Sequence, residues 1–360
     1  MRTERSLLRI VLLGFMVIGL GMPLMGGGGG EWKVSGGSWV MAYFRQRYDS
    51  RVEIDAGGRT HNVPLADPMR VERLHLALSK DGREWSPLKG NEPVWDQWLR
   101  DPYIRRGADG IWHLLATGGA RRGGDVIERP VCLHAISRDL VVWEGVESLS
   151  LMAGVRDEGG RRAGNIWAPE WFLDERTGEA FLVWSSSFED AGWKRSRLWW
   201  SRTRDWKTFS PARELFHPDY SVIDGTLLER GGVYYLFHKE EEFGVVAGER
   251  RAIRLATSRR LEGPYEVFEG PLNGGQIVPT ITEGPAVMPD PVGGGWLLLY
   301  DFCMSNGYGV SCSEDLLGWK VMGEVRFPEA ARHGSVQWLE AGEVDRLVEA
   351  LGWGSSEVVR

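Results

Sequence analysis

Apolar residues along this chain fall in short blocks, each bounded by Gly, Pro or charged residues. Clear examples lie at 111–116, 181–184, 233–238 and 296–300. Blocks this short are strands rather than helices. Ahead of several of them stands one recurring unit: an ionisable residue, a Gly or Pro beside it, then a strand-like run. The copies are Arg100-Asp101-Pro102-Tyr103, Ala168-Pro169-Glu170-Trp171, Ile223-Asp224-Gly225-Thr226, Thr282-Glu283-Gly284-Pro285 and Arg332-His333-Gly334-Ser335. They lie about 50–70 residues apart, a spacing that marks repeated supersecondary units.

A second pattern keeps the same rhythm, Ser-x-Asp followed by an aromatic residue. It runs from Ser79 to Trp85, Ser137 to Trp143, Ser201 to Trp206 and Ser313 to Trp319, with a degenerate copy from Ser258 to Tyr265. Five copies of about four short strands each predict an all-β fold, a five-bladed β-propeller. Strand-like segments at 38–44 and 74–78 precede the first ionisable site and have no inner strand of their own. The segment from His333 to Leu339 has no blade after it. Joining them closes the ring, with the C-terminal segment as inner strand of a blade whose outer strands come from the N-terminal end. Closure of this kind removes open sheet edges. Residues 51–69 are mostly polar and read as a long loop in that blade. Residues 340–351 read as a short surface helix, with Val344, Leu347 and Leu351 on one face.

In such a ring the innermost strands line a central channel, and their first residues meet at one end of it. Asp101, Glu170, Asp224, Glu283 and His333 are therefore expected around one cavity. Three or more carboxylates at one pocket suit glycoside hydrolysis. One must give a proton to the leaving oxygen, and another must be ionised to activate water or attack the sugar. A third can hold the acid's proton in place by like-charge repulsion.

Composition narrows the partner. The net charge is −7, which argues against nucleic acid. Eighteen Trp suit both blade packing and stacking on sugar rings, and most are expected to be structural. Arg2, Arg5 and Arg9 precede an apolar run at 10–25, and Gly26 to Gly30 follow. This is the pattern of an export signal and a flexible linker. The expected organisation is thus 1–30 signal and linker, 31–360 catalytic propeller, periplasmic or extracellular, with an uncleaved anchor as the alternative. Three cysteines, Cys132, Cys303 and Cys312, show no metal spacing and read as free thiols.

Taken together, the motifs around Asp101, Glu170, Asp224, Glu283 and His333 resemble glycoside hydrolase family 43. The resemblance extends over roughly residues 39–339. It implies a five-bladed propeller and an inverting glycosidase of the arabinofuranosidase, xylosidase or galactan-degrading kind. It places the general base at Asp101, the group modulating the acid's pKa at Asp224 and the general acid at Glu283. Glu170, Trp167 and His238 are then candidates for substrate binding or orientation, and Lys239 is a neighbour of His238 that also approaches the pocket. Asp224 departs from the commoner Ile-Asp-Pro by having Gly225 after it, which leaves the carboxylate in place. The family's axial His falls on His333. The resemblance implies no required cofactor, with a structural calcium ion in the channel as an option, held by His333 through a water because calcium prefers oxygen ligands. The expected partner is a carbohydrate, with no nucleic acid and no stable membrane partner, and the expected state is a monomer. Two other readings stay open: a non-catalytic carbohydrate-binding propeller, and a glycoside phosphorylase or transferase on a similar propeller.

Overall fold

The computed structural model describes residues 36–46, 50–54, 58, 60–64, 72–119, 130–189, 195–241, 251–268, 278, 281–303, 305 and 307–353. The expected export segment and linker lie outside these. Among the described residues, no helix is long and apolar enough to cross a membrane.

Five four-stranded antiparallel sheets make five blades. The first holds β6 (Arg100–Arg106), β7 (Trp112–Thr117), β8 (Cys132–Ser137) and β9 (Trp143–Leu149). The second holds β10 (Trp167–Asp174), β11 (Glu179–Ser187), β12 (Ser196–Thr203) and β13 (Arg213–Phe216). The third holds β14 (Val222–Arg230), β15 (Val233–Glu240), β16 (Ala252–Ser258) and β17 (Glu266–Val267). The fourth holds β18 (Glu283–Pro289), β19 (Trp296–Asp301), β20 (Tyr308–Ser313) and β21 (Trp319–Val321). The closing blade is built as expected, in the order β22 (Ala331–Leu339), β1 (Ser38–Arg45), β4 (His75–Ser79) and β5 (Ser86–Pro87). The inner strands β22, β6, β10, β14 and β18 touch one another in a closed ring.

The unbroken apolar blocks have a simple origin. Successive strand residues point to opposite faces of a sheet, and each blade is covered on both faces by its neighbours. In β7, Leu114 packs toward the closing blade and Leu115 toward the second. In β11, Leu182 faces the first blade while Phe181 and Val183 face the third. In β19, Leu298 faces the third blade while Leu297 and Leu299 face the closing blade. Five hydrophobic clusters result, one between each pair of adjacent blades. A Leu298→Ala truncation in such a core removes about 2–5 kcal/mol.

Two expectations need correcting. The segment expected as a loop holds a hairpin, β2 (Ser50–Ile54) paired with β3 (Thr60–Pro64), joined to no blade. Its many polar residues hid the strands. The repeat marker is also out of phase in the second blade. The marker's Ser caps a turn at the end of each third strand. Its hydroxyl accepts the amide of Gly82, Leu140 or Leu316, a residue of left-handed backbone, and its Asp accepts the next two amides. In the second blade Thr203 and Asp205 play these parts. Trp206 is the left-handed turn residue (φ 58°) and stacks on His113 and His134 of the first blade. Phe209 takes the aromatic position.

The tail helix, α1 (Ala341–Leu351), starts at a capping box between Glu340 and Glu343. Val344 and Leu347 are buried in the same cluster as Val40, Leu76 and Leu114, so the helix belongs to the core between the closing and first blades. Closure is sealed by Ser335, whose hydroxyl donates to the Pro102 carbonyl (3.0 Å) and accepts from the Ile104 amide (2.9 Å). Ser335→Ala strands both buried groups. Chemical denaturation is expected to show a loss of about 1–3 kcal/mol, and an unchanged midpoint would mean that closure does not depend on this link.

Candidate active site

The register of the inner strands shows how the five motifs correspond. Each inner strand carries a bulge at its start, between Arg100 and Tyr103, Trp167 and Glu170, Ile223 and Thr226, Glu283 and Ala286, and opposite Ala42 and Phe44 in β22. The first bulged residues are Asp101, Ala168, Asp224, Gly284 and His333. Asp101, Ala168, Asp224 and Gly284 have left-handed backbone (φ 50°, 42°, 55° and 62°). The ionisable residues are therefore not all in phase. Asp101, Asp224 and His333 share one level, Glu283 stands one residue before it, and Glu170 stands two after it. At Gly284 no side chain fits, because a Cβ would come within 2.6 Å of His333 Cγ.

A bulge takes an amide out of the ladder, and a buried amide needs another acceptor. The second strand of the preceding blade supplies it. Thr117 of β7 accepts the Ala168 amide (2.8 Å) and donates to Asp101 Oδ2 (2.6 Å). Ser185 of β11 accepts the Asp224 amide (3.1 Å). Asp301 of β19 accepts the His333 amide (2.7 Å). The corresponding residue of β15 is Lys239, which cannot accept. The Gly284 amide donates instead to Asp224 Oδ2 (3.2 Å), and Lys239 Nζ binds Glu283 Oε2 (2.8 Å).

The charges form one cluster. His333 Nδ1 lies 3.4 Å from Asp101 Oδ1 and 3.9 Å from Asp224 Oδ2. Burial opposes charge on this imidazole, but Asp224, Asp101 and Glu170 raise it to about 10. Burial likewise opposes charge on Asp101. The His333 hydrogen bond and charge, aided by Arg100 and Thr117, hold that carboxyl down at about 2. Asp224 is lifted to about 6, by burial and, against His333, by the nearby Glu283. Glu283 is pressed on both sides by cations. Lys239 binds one oxygen, and the buried Arg332 binds the other while also pairing with Asp301 (3.0 Å). Burial pushes Glu283 up, but Lys239 and Arg332 outweigh it and hold it below its ordinary range. Asp301 rises to about 7, through burial and the charge of Glu283.

The structure thus brings Asp101, Asp224, Glu283 and His333 together. Trp167 stands at the start of β10 with its side chain 46% exposed. Glu170 is buried one layer along the strand. His238 does not reach the site. It is fully buried on the opposite face of β15 from Lys239, bonded to the Tyr220 hydroxyl (2.7 Å) and packed on Phe216. Burial depresses it to about 3, so it is neutral. Of two adjacent strand residues only one can face the channel, and it is Lys239. Of the two neighbours, Asp224 is the more basic carboxyl, lifted to about 6 by burial and the charge of Glu283, while Lys239 and Arg332 outweigh burial at Glu283. Sequence reading missed Thr117, Asp301 and Arg332 as site residues. The signal for the first two was their place, opposite the residue that precedes each bulge.

Residues 66–345 match the family described as "Probable glycosyl hydrolase domain", related to glycoside hydrolase family 43. The chain belongs to this family. It is a family-43-like glycosyl hydrolase domain, and its five blades share the fold of solved family-43 structures. A family 43 arabinoxylan arabinofuranohydrolase from Bacillus subtilis, solved with cellotetraose, is 15% identical. The match covers 81% of this chain and 65% of that one at a TM-score of 0.52. An endo-1,4-β-xylanase from Bacteroides thetaiotaomicron is 13% identical over 82% of this chain and 98% of that one, at 0.51. Among curated proteins none matches.

His333 Nδ1 faces Asp101 (3.4 Å), so a metal-bound water held on this imidazole would meet its other ring nitrogen. Among the described residues no three His, Cys, Asp or Glu are grouped to hold an ion.

The pair of Asp101 and His333 fixes a pH window. The stability His333 contributes is complete below its ordinary value of 6.5 and is lost as pH rises through about 10. That of Asp101 is complete above 3.8 and is lost as pH falls through about 2. His333→Gln removes the cation and leaves burial to dominate Asp101. The acid limb of kcat/KM is expected to move from near 2 to above the ordinary carboxylate range. An acid limb that stays put would show that His333 does not hold Asp101 ionised.

Proposed function

We propose that this hydrolase is an inverting glycosidase cleaving arabinosyl, xylosyl or galactosyl linkages of plant-type glycans, exported and acting as a monomer. The observation that carries the reading is the cluster itself, with His333 Nδ1 3.4 Å from Asp101 and 3.9 Å from Asp224 and Glu283 held by Lys239 and Arg332, which sets Asp101 at about 2 and Asp224 at about 6. An inverting site needs that difference, a base on one side and a proton on the other. Asp101 is the base that activates water. Thr117 and His333 hold its two oxygens, so the carboxylate stays oriented and charged.

Glu283 is the acid, and it does not hold its proton alone. Asp224 and Glu283 interact strongly enough to titrate as a unit. One proton belongs to the pair, and it is lost near the value of Asp224. Below about 6 the pair can supply the leaving oxygen through Glu283. Inversion leaves room for water between sugar and base, so the Asp101 and Glu283 carboxyls belong about 6.5–9.5 Å apart. Trp167, exposed at the mouth, is the stacking platform for a sugar ring.

An aryl-glycoside screen names the sugar. Asp101→Asn is expected to abolish turnover on every substrate, because no leaving group replaces the activated water. Glu283→Gln is expected to lose most activity on a natural oligosaccharide while retaining far more on an aryl glycoside whose leaving group departs without a proton. Equal fractional losses on both would remove Glu283 from the acid's part. The basic limb of kcat/KM is expected near 6 for the unaltered enzyme. In Asp224→Asn it should move to lower pH, since Glu283 then faces Lys239 and Arg332 without the charge that favours its proton. A basic limb that stays put or rises would contradict the shared proton.

A further inference from the structure

Two residues after the first bulged residue, the inner strands carry Tyr103, Glu170, Thr226, Ala286 and Ser335 at one level of the channel. At two of these positions a hydroxyl links its blade to the next in the same way. Ser335 donates to the Pro102 carbonyl and accepts from the Ile104 amide. Thr226 Oγ1 lies 2.7 Å from the Pro285 carbonyl and 2.7 Å from Glu170 Oε1. Both partners are buried, and both are acceptors if Glu170 is ionised.

A hydroxyl has one proton to give. The Pro285 carbonyl can only accept, so by the pattern of Ser335 it takes the Thr226 proton. Thr226 must then accept from Glu170. An ionised Glu170 would leave two oxygens 2.7 Å apart with no proton between them. We infer that Glu170 is a neutral carboxylic acid whose O–H donates to Thr226, and that it acts as a positioning residue. Through Thr226 it ties the second, third and fourth blades and fixes the Glu283-Gly284-Pro285 turn. The inference rests on the reading of Glu283 as the site's acid for its catalytic consequence only.

The surroundings agree. Facing Glu170 are the cations His333 of β22 and Arg105 of β6, the Asp224 carboxyl of β14 and the Tyr103 phenol of β6. The cations favour the charged form. Burial outweighs them and raises Glu170 to about 8. Its side chain is also the only acid at its level, one layer from the Asp101 and Asp224 carboxyls that face His333.

Glu170→Gln tests this, because an amide N–H can donate to Thr226 as the acid does, whereas Glu170→Ala leaves Thr226 without a donor. Glu170→Gln is expected to keep kcat within about threefold of the unaltered enzyme, and Glu170→Ala to lose about tenfold or more with KM little changed. A second readout needs no activity. A protonated carboxyl C=O band in the infrared spectrum at pH 7 should be lost in Glu170→Gln. The thermal midpoint of the unaltered protein should fall between pH 4.5 and about 8 more steeply than that of Glu170→Gln, since the folded state keeps a proton the unfolded chain releases. Asp224 and Asp301 contribute to both curves and cancel in the difference. Equal loss in Glu170→Gln and Glu170→Ala, with no difference in band or slope, would overturn the inference. So would a Glu170→Gln that fails on natural glycosides but works on activated aryl glycosides, which would make Glu170 the proton donor itself. If no glycoside is cleaved at all, the infrared and stability readouts still decide the protonation of Glu170.

Discussion

The site depends on a bulge placed at the start of every inner strand. A bulge turns a side chain into the channel, but it leaves a backbone amide without its ladder partner. In three places the preceding blade accepts that amide, through Thr117, Ser185 and Asp301. The same side chains that satisfy the backbone also hold the chemistry, since Thr117 binds Asp101 and Asp301 binds Arg332. Structure and function share these atoms. A change at the second strand of a blade is felt by a functional residue of the same blade, as Asp101 through Thr117, or of the next, as His333 through Asp301.

Where the pattern breaks, the charge pattern changes with it. The third blade offers Lys239 instead of an acceptor, so the Gly284 amide turns to Asp224 and the lysine to Glu283. Buried ion pairs of this kind add little net stability, because desolvation offsets attraction. What they set is protonation. Against burial, His333 keeps Asp101 ionised, while Lys239 and Arg332 lower Glu283, and burial with the charge of Glu283 raises Asp224.

The fold was readable because a propeller repeats its signals. Five copies of a motif of ionisable residue, turn and strand, with loose ends that needed each other, were enough for the blade count and the closure by β22 and β1. Phase was harder to read. Glu283 and Glu170 resemble Asp101 in sequence, yet they stand one residue before and two after the first bulged position, a difference visible only in the strand register. His238 and Lys239 could not be separated without knowing which face of β15 met the channel. Arg332 was in plain view beside His333, but a buried arginine announces itself only through its partners, and Asp301 lies at the far end of another strand. The hairpin at Ser50–Pro64 was masked by its polar residues.

The central claim is that Asp101 activates water rather than attacking the sugar, with the proton supplied from the opposite side of the cavity. The most direct measurement follows the anomeric proton of the first product by NMR during hydrolysis of a cleavable oligosaccharide at acidic pH. The account predicts that the first sugar released has the opposite anomeric configuration to the bond cleaved. Release of the retained anomer would mean a covalent intermediate on a carboxylate, and would contradict it.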